Sequence, residues 1–91
     1  MRNTIELVVT DYTTEHQMMW EVGRVIGGSI DEIVFIGLTD QDMKLLRGKV
    51  HYWNRKGYRE IKTRWDYQRQ EFRVFAMDTT SNPIPVRVNR S

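Results

Sequence analysis

The stretch Ile30-Asp31-Glu32-Ile33-Val34-Phe35-Ile36-Gly37-Leu38 decides the fold. Residues 33–36 are apolar at every position, not at every second one. A strand with one wet face alternates, whereas a strand covered on both faces is continuous. Residues 30–38 therefore read as a central strand, and the flanking segments must supply its neighbours and its cover. Gly27-Gly28 stands just before it, and glycine ends a helix at little conformational cost. Met18, Met19, Val22, Val25 and Ile26 precede that stop at helical intervals, and Thr13, Thr14 and Gln17 have the spacing of a capping box. Further upstream, Ile5, Leu7 and Val9 alternate with Thr4, Glu6 and Thr10, while Val8 breaks the pattern. Residues 4–10 thus form a strand with one buried face.

Downstream, Thr39 and Asp42 cap a second helix. Its apolar face is Met43, Leu46, Val50 and Trp53, and Gly57 ends it. Segments 58–66 and 70–77 read as a hairpin. Ile61, Thr63 and Trp65 face inward beside Phe72, Val74 and Ala76. Asn82-Pro83 breaks the chain, and Ile84 to Val88 reads as a short additional edge strand, since Pro85 is tolerated only at an edge. The element order is β-α-β-α-β-β. Short connections and a right-handed crossover place both helices on one face of a mixed four-stranded sheet. The expected class is α+β, a two-layer sandwich within a single small domain spanning 1–91.

Composition excludes several functions. The 91 residues contain no cysteine, which rules out disulfides, thiolate catalysis and cysteine-ligated metals. It also fits a reducing compartment. The longest apolar run is too short for a membrane span, and the apolar run after Arg2 is closed by Asp11 too early for a signal peptide. A cytoplasmic protein is expected. His16 and His51 are isolated, no serine sits in a nucleophile elbow, and no phosphate-binding loop is present. The reading is a non-enzyme that needs no cofactor or metal.

Charge supplies the positive signal. Residues 1–43 hold two basic and eight acidic residues, a balance of −6; residues 44–91 hold twelve basic and four acidic, a balance of +8. The basic half also carries seven of the ten aromatics. Cations neutralise phosphates and aromatic faces stack on bases. At about 100° per residue, Lys44, Arg47, His51 and Arg55 form one stripe of the second helix, about 80° wide. In the hairpin, Lys62, Arg64, Arg73 and Phe75 point outward, with Arg69 and Tyr67 near the turn. Like charges opposed across strands repel unless something offsets them, as Glu60, Asp66, Glu71 or a bound phosphate can. Lys44, Arg47, Arg55, Lys62, Arg64, Arg69 and Arg73 are thus candidate phosphate contacts. Tyr67 is the candidate stacking residue, with Trp65 beside it unless Trp65 packs on the inner face. The plainer readings are a solvated helix face and charges that keep an edge strand from aggregating. No base-reading motif is visible, so shape or single-strand recognition is expected.

A second surface is expected around Trp20. It projects away from the apolar seam of the first helix, on the side of His16, Gly23 and Gly27, unless it fills the groove between the helices. Exposed tryptophan is favoured at interface hot spots. With the acidic Glu15 and Glu21 it suits a protein-binding module, such as a phage or mobile-element factor that inhibits or modulates a host nucleic-acid machine in the host cytoplasm. The opposite polarity of the two halves also allows a homodimer paired head to tail.

The element order resembles that of Alba-type chromatin proteins and of the C-terminal domain of translation initiation factor three, over roughly residues 4–77. That resemblance implies nucleic-acid binding. Asp11-Tyr12-Thr13-Thr14 stands where Alba proteins carry a lysine-bearing turn. TusA-like sulfur carriers share the order, but their Cys-Pro pair has no counterpart at Tyr12-Thr13-Thr14, which excludes persulfide chemistry. Asn54-Arg55-Lys56-Gly57-Tyr58-Arg59 is similar to the basic helix and Gly-x-Arg hairpin of some small phage proteins.

Overall fold

The computed structural model describes residues 3–57 and 59–77. Tyr58 and the expected edge strand at 84–88 lie outside the described residues. The elements are β1 (Thr4–Val8), α1 (Glu15–Ile26), β2 (Glu32–Ile36), α2 (Asp40–Lys56), β3 (Ile61–Asp66) and β4 (Glu71–Ala76). The sheet order is β1-β2-β4-β3. β1 runs parallel to β2, and β4 runs antiparallel to both of its neighbours. This is the expected mixed four-stranded α+β sandwich. β4 inserts between β2 and β3, so among the described residues the sheet's edges are β1 and β3.

Local chemistry sets the helix limits. The hydroxyls of Thr14 and Thr39 accept the N–H groups of Gln17 and Asp42, at 3.0 and 3.1 Å. Each cap satisfies a donor that the helix itself leaves unpaired. Gly57 closes α2 at φ 78°, a conformation that a side chain resists. β2 is shorter than the expected strand over 30–38 and starts at Glu32, because Ser29 and Ile30 donate their N–H groups to the Arg24 carbonyl, as part of the exit from α1.

One apolar cluster fills the space between the layers. Ile33 and Phe35 of β2, Phe72 and Val74 of β4, and Ile61 of β3 meet Met18, Val22 and Val25 of α1 and Met43, Leu46 and Val50 of α2. Removing a large side chain of this kind from water contributes about 1.5–3 kcal/mol. The inner ladder matches the period-two reading: Ile61 faces Ala76, Thr63 faces Val74 and Trp65 faces Phe72. α1 packs mainly on β2 and β4, α2 on β3, and neither has its main contact on β1. Accordingly Ile5, Leu7 and Val9 are only partly buried against the core.

Two polar devices fasten the β3 end. The Arg59 side chain, 14% exposed, donates to the carbonyls of Val25 and Ile30 and to Asp31 Oδ1, at 2.8, 3.1 and 2.9 Å. It ties the start of β3 to the corner between α1 and β2. Asn54 of α2 donates to the Ile61 carbonyl and accepts the Ile61 N–H, at 2.8 and 2.9 Å. Its amide thus stands in for a neighbouring strand.

Candidate nucleic-acid interface

The face of the sheet opposite the helices can be read directly from the registers. Across the strands it runs Thr4–Glu32–Phe75–Lys62, then Glu6–Val34–Arg73–Arg64, then Val8–Ile36–Glu71–Asp66. Arg64 and Arg73 stand directly opposite each other, as the alternation implies. Their repulsion is offset within the molecule. Arg73 donates to Glu32 Oε2 at 3.2 Å and to Glu71 Oε1 at 3.0 Å. Burial opposes the Arg73 charge, but the hydrogen bonds and coulombic attraction of the two carboxylates outweigh it and raise its pKa. Val34, in register with Arg73, is only 1% exposed, so this face is not open throughout.

The open part lies at the hairpin end. A shallow groove of about 660 Å³ is bordered by Arg64, Asp66, Tyr67, Gln68, Arg73 and Phe75. The hairpin tip that forms its rim is locally fixed. Asp66 Oδ1 accepts the N–H groups of Gln68 and Arg69, at 3.1 and 3.2 Å, and Gln70 Nε2 donates to the Tyr67 carbonyl at 2.8 Å. Gln70 adopts φ 55° to close the turn. Tyr67 is left 76% exposed on this ordered tip. Arg64 reaches the groove with no ion-pair partner among the described residues, unlike Arg73.

The remaining candidates divide by layer. Lys62 lies on the open face in a loose, exposed pair with Glu60 at 3.8 Å. Arg69 is exposed on the turn. Lys44, Arg47 and Arg55 are exposed on α2, in the opposite layer. Arg47 is not wholly turned to solvent, because its guanidinium sits 5.3 Å from the centre of the buried Phe72 ring. The expected single surface of helix plus hairpin is therefore two surfaces, which meet only round the free edge of β3. Trp65 is half-buried and packs against the core, although it also borders the groove. It is placed on the inner face, not as a stacking residue at the tip.

Trp20 is 63% exposed and does not fill the groove between the helices. Glu15 is exposed, while Glu21 is half-buried and bonds Arg24 at 3.0 Å, so the acidic surface beside Trp20 is smaller than its sequence suggests. Lys49 extends between the helices and donates to the Met19 carbonyl at 3.0 Å; burial lowers its pKa. Among the described residues no group of three or more acidic, histidine or cysteine side chains is placed to hold a metal ion, and no helix is long and apolar enough to cross a membrane.

Sequence reasoning missed Arg59 and Asn54, whose partners are backbone atoms brought close only by the fold. It also missed the neutralisation of Arg73 by Glu32, a residue 41 positions away. No protein-family model matches the chain, and no curated protein or solved structure is significantly similar to it.

Proposed function

We propose that this chain is a non-enzymatic cytoplasmic domain that binds single-stranded nucleic acid at the hairpin groove with little sequence preference. The observation that carries the reading is the pairing of an arginine that has no ion-pair partner among the described residues with an exposed aromatic: Arg64 lies in the groove, and Tyr67 stands on its ordered rim. Arg64 serves as the phosphate contact and Tyr67 as the stacking platform, with Lys62 and Arg69 extending the cationic path. Arg73 orients the groove and contributes little attraction of its own, since two carboxylates already neutralise it. Lys44, Arg47 and Arg55 form a second row on the other layer. A flexible strand can pass round the β3 edge to reach both rows, whereas a stiff duplex cannot. The element order shared with Alba-type proteins and the initiation-factor domain supports the same reading.

Fluorescence anisotropy with labelled single-stranded DNA, single-stranded RNA and duplex DNA tests this at two salt concentrations. Single strands are expected to bind more tightly than duplex, with affinity falling steeply as salt rises. Arg64→Glu should weaken binding about tenfold or more while the circular dichroism spectrum stays native. Binding that survives Arg64→Glu, or no binding at low salt, would sink the assignment.

A second reading is favoured by the exposure of Trp20. A large aromatic on the helix layer, far from the groove, fits a protein contact of the kind an inhibitor or modulator of a nucleic-acid machine would use. Trp20→Ala separates the two readings: it should leave anisotropy titrations unchanged and abolish a protein complex.

A further inference from the structure

Between α1 and α2 lies an apolar groove that the hairpin reading leaves unused. Two adjoining hollows, of about 310 and 520 Å³, share Lys49 and Trp53. Gly23 and Ile26 belong to the α1 wall, and Leu45, Gly48 and Trp53 to the α2 wall. Both glycines stand in mid-helix, where glycine weakens a helix relative to alanine. A Cβ added at either would meet nothing within 4 Å, so no contact among the described residues requires the missing side chain. Charge in the groove has one sign. Lys44 and Lys49 border it, and among the described residues no carboxylate does. The half-buried arginines Arg24, Arg59 and Arg73 each bond a carboxylate, at 3.0, 2.9 and 3.0 Å. Lys49 is half-buried as well, yet its partner among the described residues is the Met19 carbonyl, which the ladder of α1 already serves. Burial lowers its pKa, with no carboxylate to oppose that cost.

We propose that this groove binds an acidic amphipathic helix of a partner protein, with a carboxylate of that helix paired to Lys49. The lysines select the occupant by charge: a groove with cations and no carboxylate favours an acidic segment over a basic one. The walls are apolar, so a segment buried there must satisfy its own backbone groups, which a helix does and an extended chain does not. Gly23 and Gly48 stand on opposite walls and leave room for a third helix to approach closely. Residues 78–91, outside the described structure, hold one acidic and two basic side chains, so they do not match the charge of the groove. This contact gives the second functional reading a partner chemistry. It rests on the groove and not on Trp20, which does not line it, and it stands or falls separately from nucleic-acid binding at the hairpin.

The chain's three tryptophans let one experiment locate the contact, since Trp53 lines this groove, Trp65 borders the hairpin groove and Trp20 lines neither. Isotope-labelled full chain is titrated with a synthetic helical peptide that carries a leucine stripe flanked by glutamates, and with its glutamine and lysine counterparts, while the indole N–H signals are followed by NMR. The acidic peptide is expected to move the Trp53 signal and leave that of Trp65 in place, with affinity falling as salt rises. The glutamine peptide should bind about tenfold more weakly, and the lysine peptide should not bind. Lys49→Met removes the paired cation and Gly48→Glu sets a like charge on the wall. Each, checked for a native circular dichroism spectrum, should weaken the acidic peptide about tenfold or more. No movement of Trp53 with the acidic peptide overturns the proposal, as do equal affinities for the acidic and glutamine peptides, or K49M and G48E proteins that bind as wild type does. Movement of Trp65 or Trp20 alone places the peptide elsewhere and overturns it too. A Trp53 signal that shifts with protein concentration alone, or with single-stranded DNA while Trp65 stays still, assigns the groove to a second copy or to nucleic acid and overturns the acidic helix.

Discussion

The two edges of this sheet are treated in opposite ways. At β3, the Met77 N–H bonds the Glu60 carbonyl, so the alternation points the backbone groups of Ile61, Thr63 and Trp65 away from β4, while their side chains stay on the inner face. Asn54 fills both groups of Ile61, Lys62 and Arg64 line the open face, and α2 lies on the other. Another strand meets a capped start and a row of cations there. At β1, among the described residues, no side chain caps the backbone and the strand carries no cation, and the outward backbone groups belong to Thr4, Glu6 and Val8. An edge guarded by positive charge repels a second copy of itself but attracts a polyanion. An edge of bare backbone flanked by valine and leucine attracts a strand. The two edges of the described sheet thus differ in what they present: a capped start and cations at β3, bare backbone at β1.

The largest expected effect comes from removing the tie that holds the β3 start in place. Arg59→Ala takes away the hydrogen bonds to the Val25 and Ile30 carbonyls and to Asp31, and leaves Asp31 half-buried beside a lost cation. Loss of one member of a buried pair costs about 3–5 kcal/mol, a large share of the stability of a domain this size. Urea titration followed by circular dichroism should show the midpoint fall steeply. A loss below about 1 kcal/mol would mean that the corner between α1 and β2 holds β3 without it.

A smaller effect, aimed at the edge itself, is expected from Asn54→Ala. It leaves the N–H and C=O of Ile61 without their side-chain partner, at a cost of about 1–3 kcal/mol. Because it bares the β3 start, it should also increase self-association through that edge, which light scattering would detect. Destabilisation without added association would show that Lys62 and Arg64 alone guard β3, and would sharpen the contrast with β1.

Much of this architecture is legible in the chain. The continuous run 33–36 marks the central strand, and the alternation at 61–65 and 72–76 picks out the residues that form the inner ladder. Periodicity works there because it reports which face a side chain occupies. It does not report which strands become neighbours, so the insertion of β4 between β2 and β3 and the identity of the two edges are not visible from it. The division of the basic surface escapes for the same reason. Lys44 and Arg64 are each legible as outward-facing, but outward from a helix and outward from the sheet point to opposite sides of a sandwich. The pairing of Arg73 with Glu32 is hidden too, since it depends on β2 and β4 being neighbours. Charge balance along the sequence overstates the free cations wherever a fold brings distant carboxylates back to them.

The smallest effect tests whether the helix layer joins in this division of charge. Lys49 lies between the helices, half-buried, with its pKa lowered from 10.5 by desolvation. In the unfolded chain it holds its proton up to that ordinary value; in the folded protein it releases the proton at lower pH. Between the two values the unfolded state binds more protons, so this residue's contribution to stability rises with pH. Lys49→Met removes that linkage. It forfeits the bond to the Met19 carbonyl, which the helix ladder of α1 already serves, and it ends the cost of burying a charge. The substitution should therefore be close to neutral or slightly stabilising near neutral pH, and wild type should recover ground on it as pH rises towards 10.5. Denaturation of both proteins across alkaline pH reads this difference directly. If wild type instead loses ground on the variant as the solution becomes more alkaline, the charged form of Lys49 is the stabilising one. The helix layer would then contain a charge that the fold depends on, and the cations would not be confined to the β3 side and the solvent face of α2.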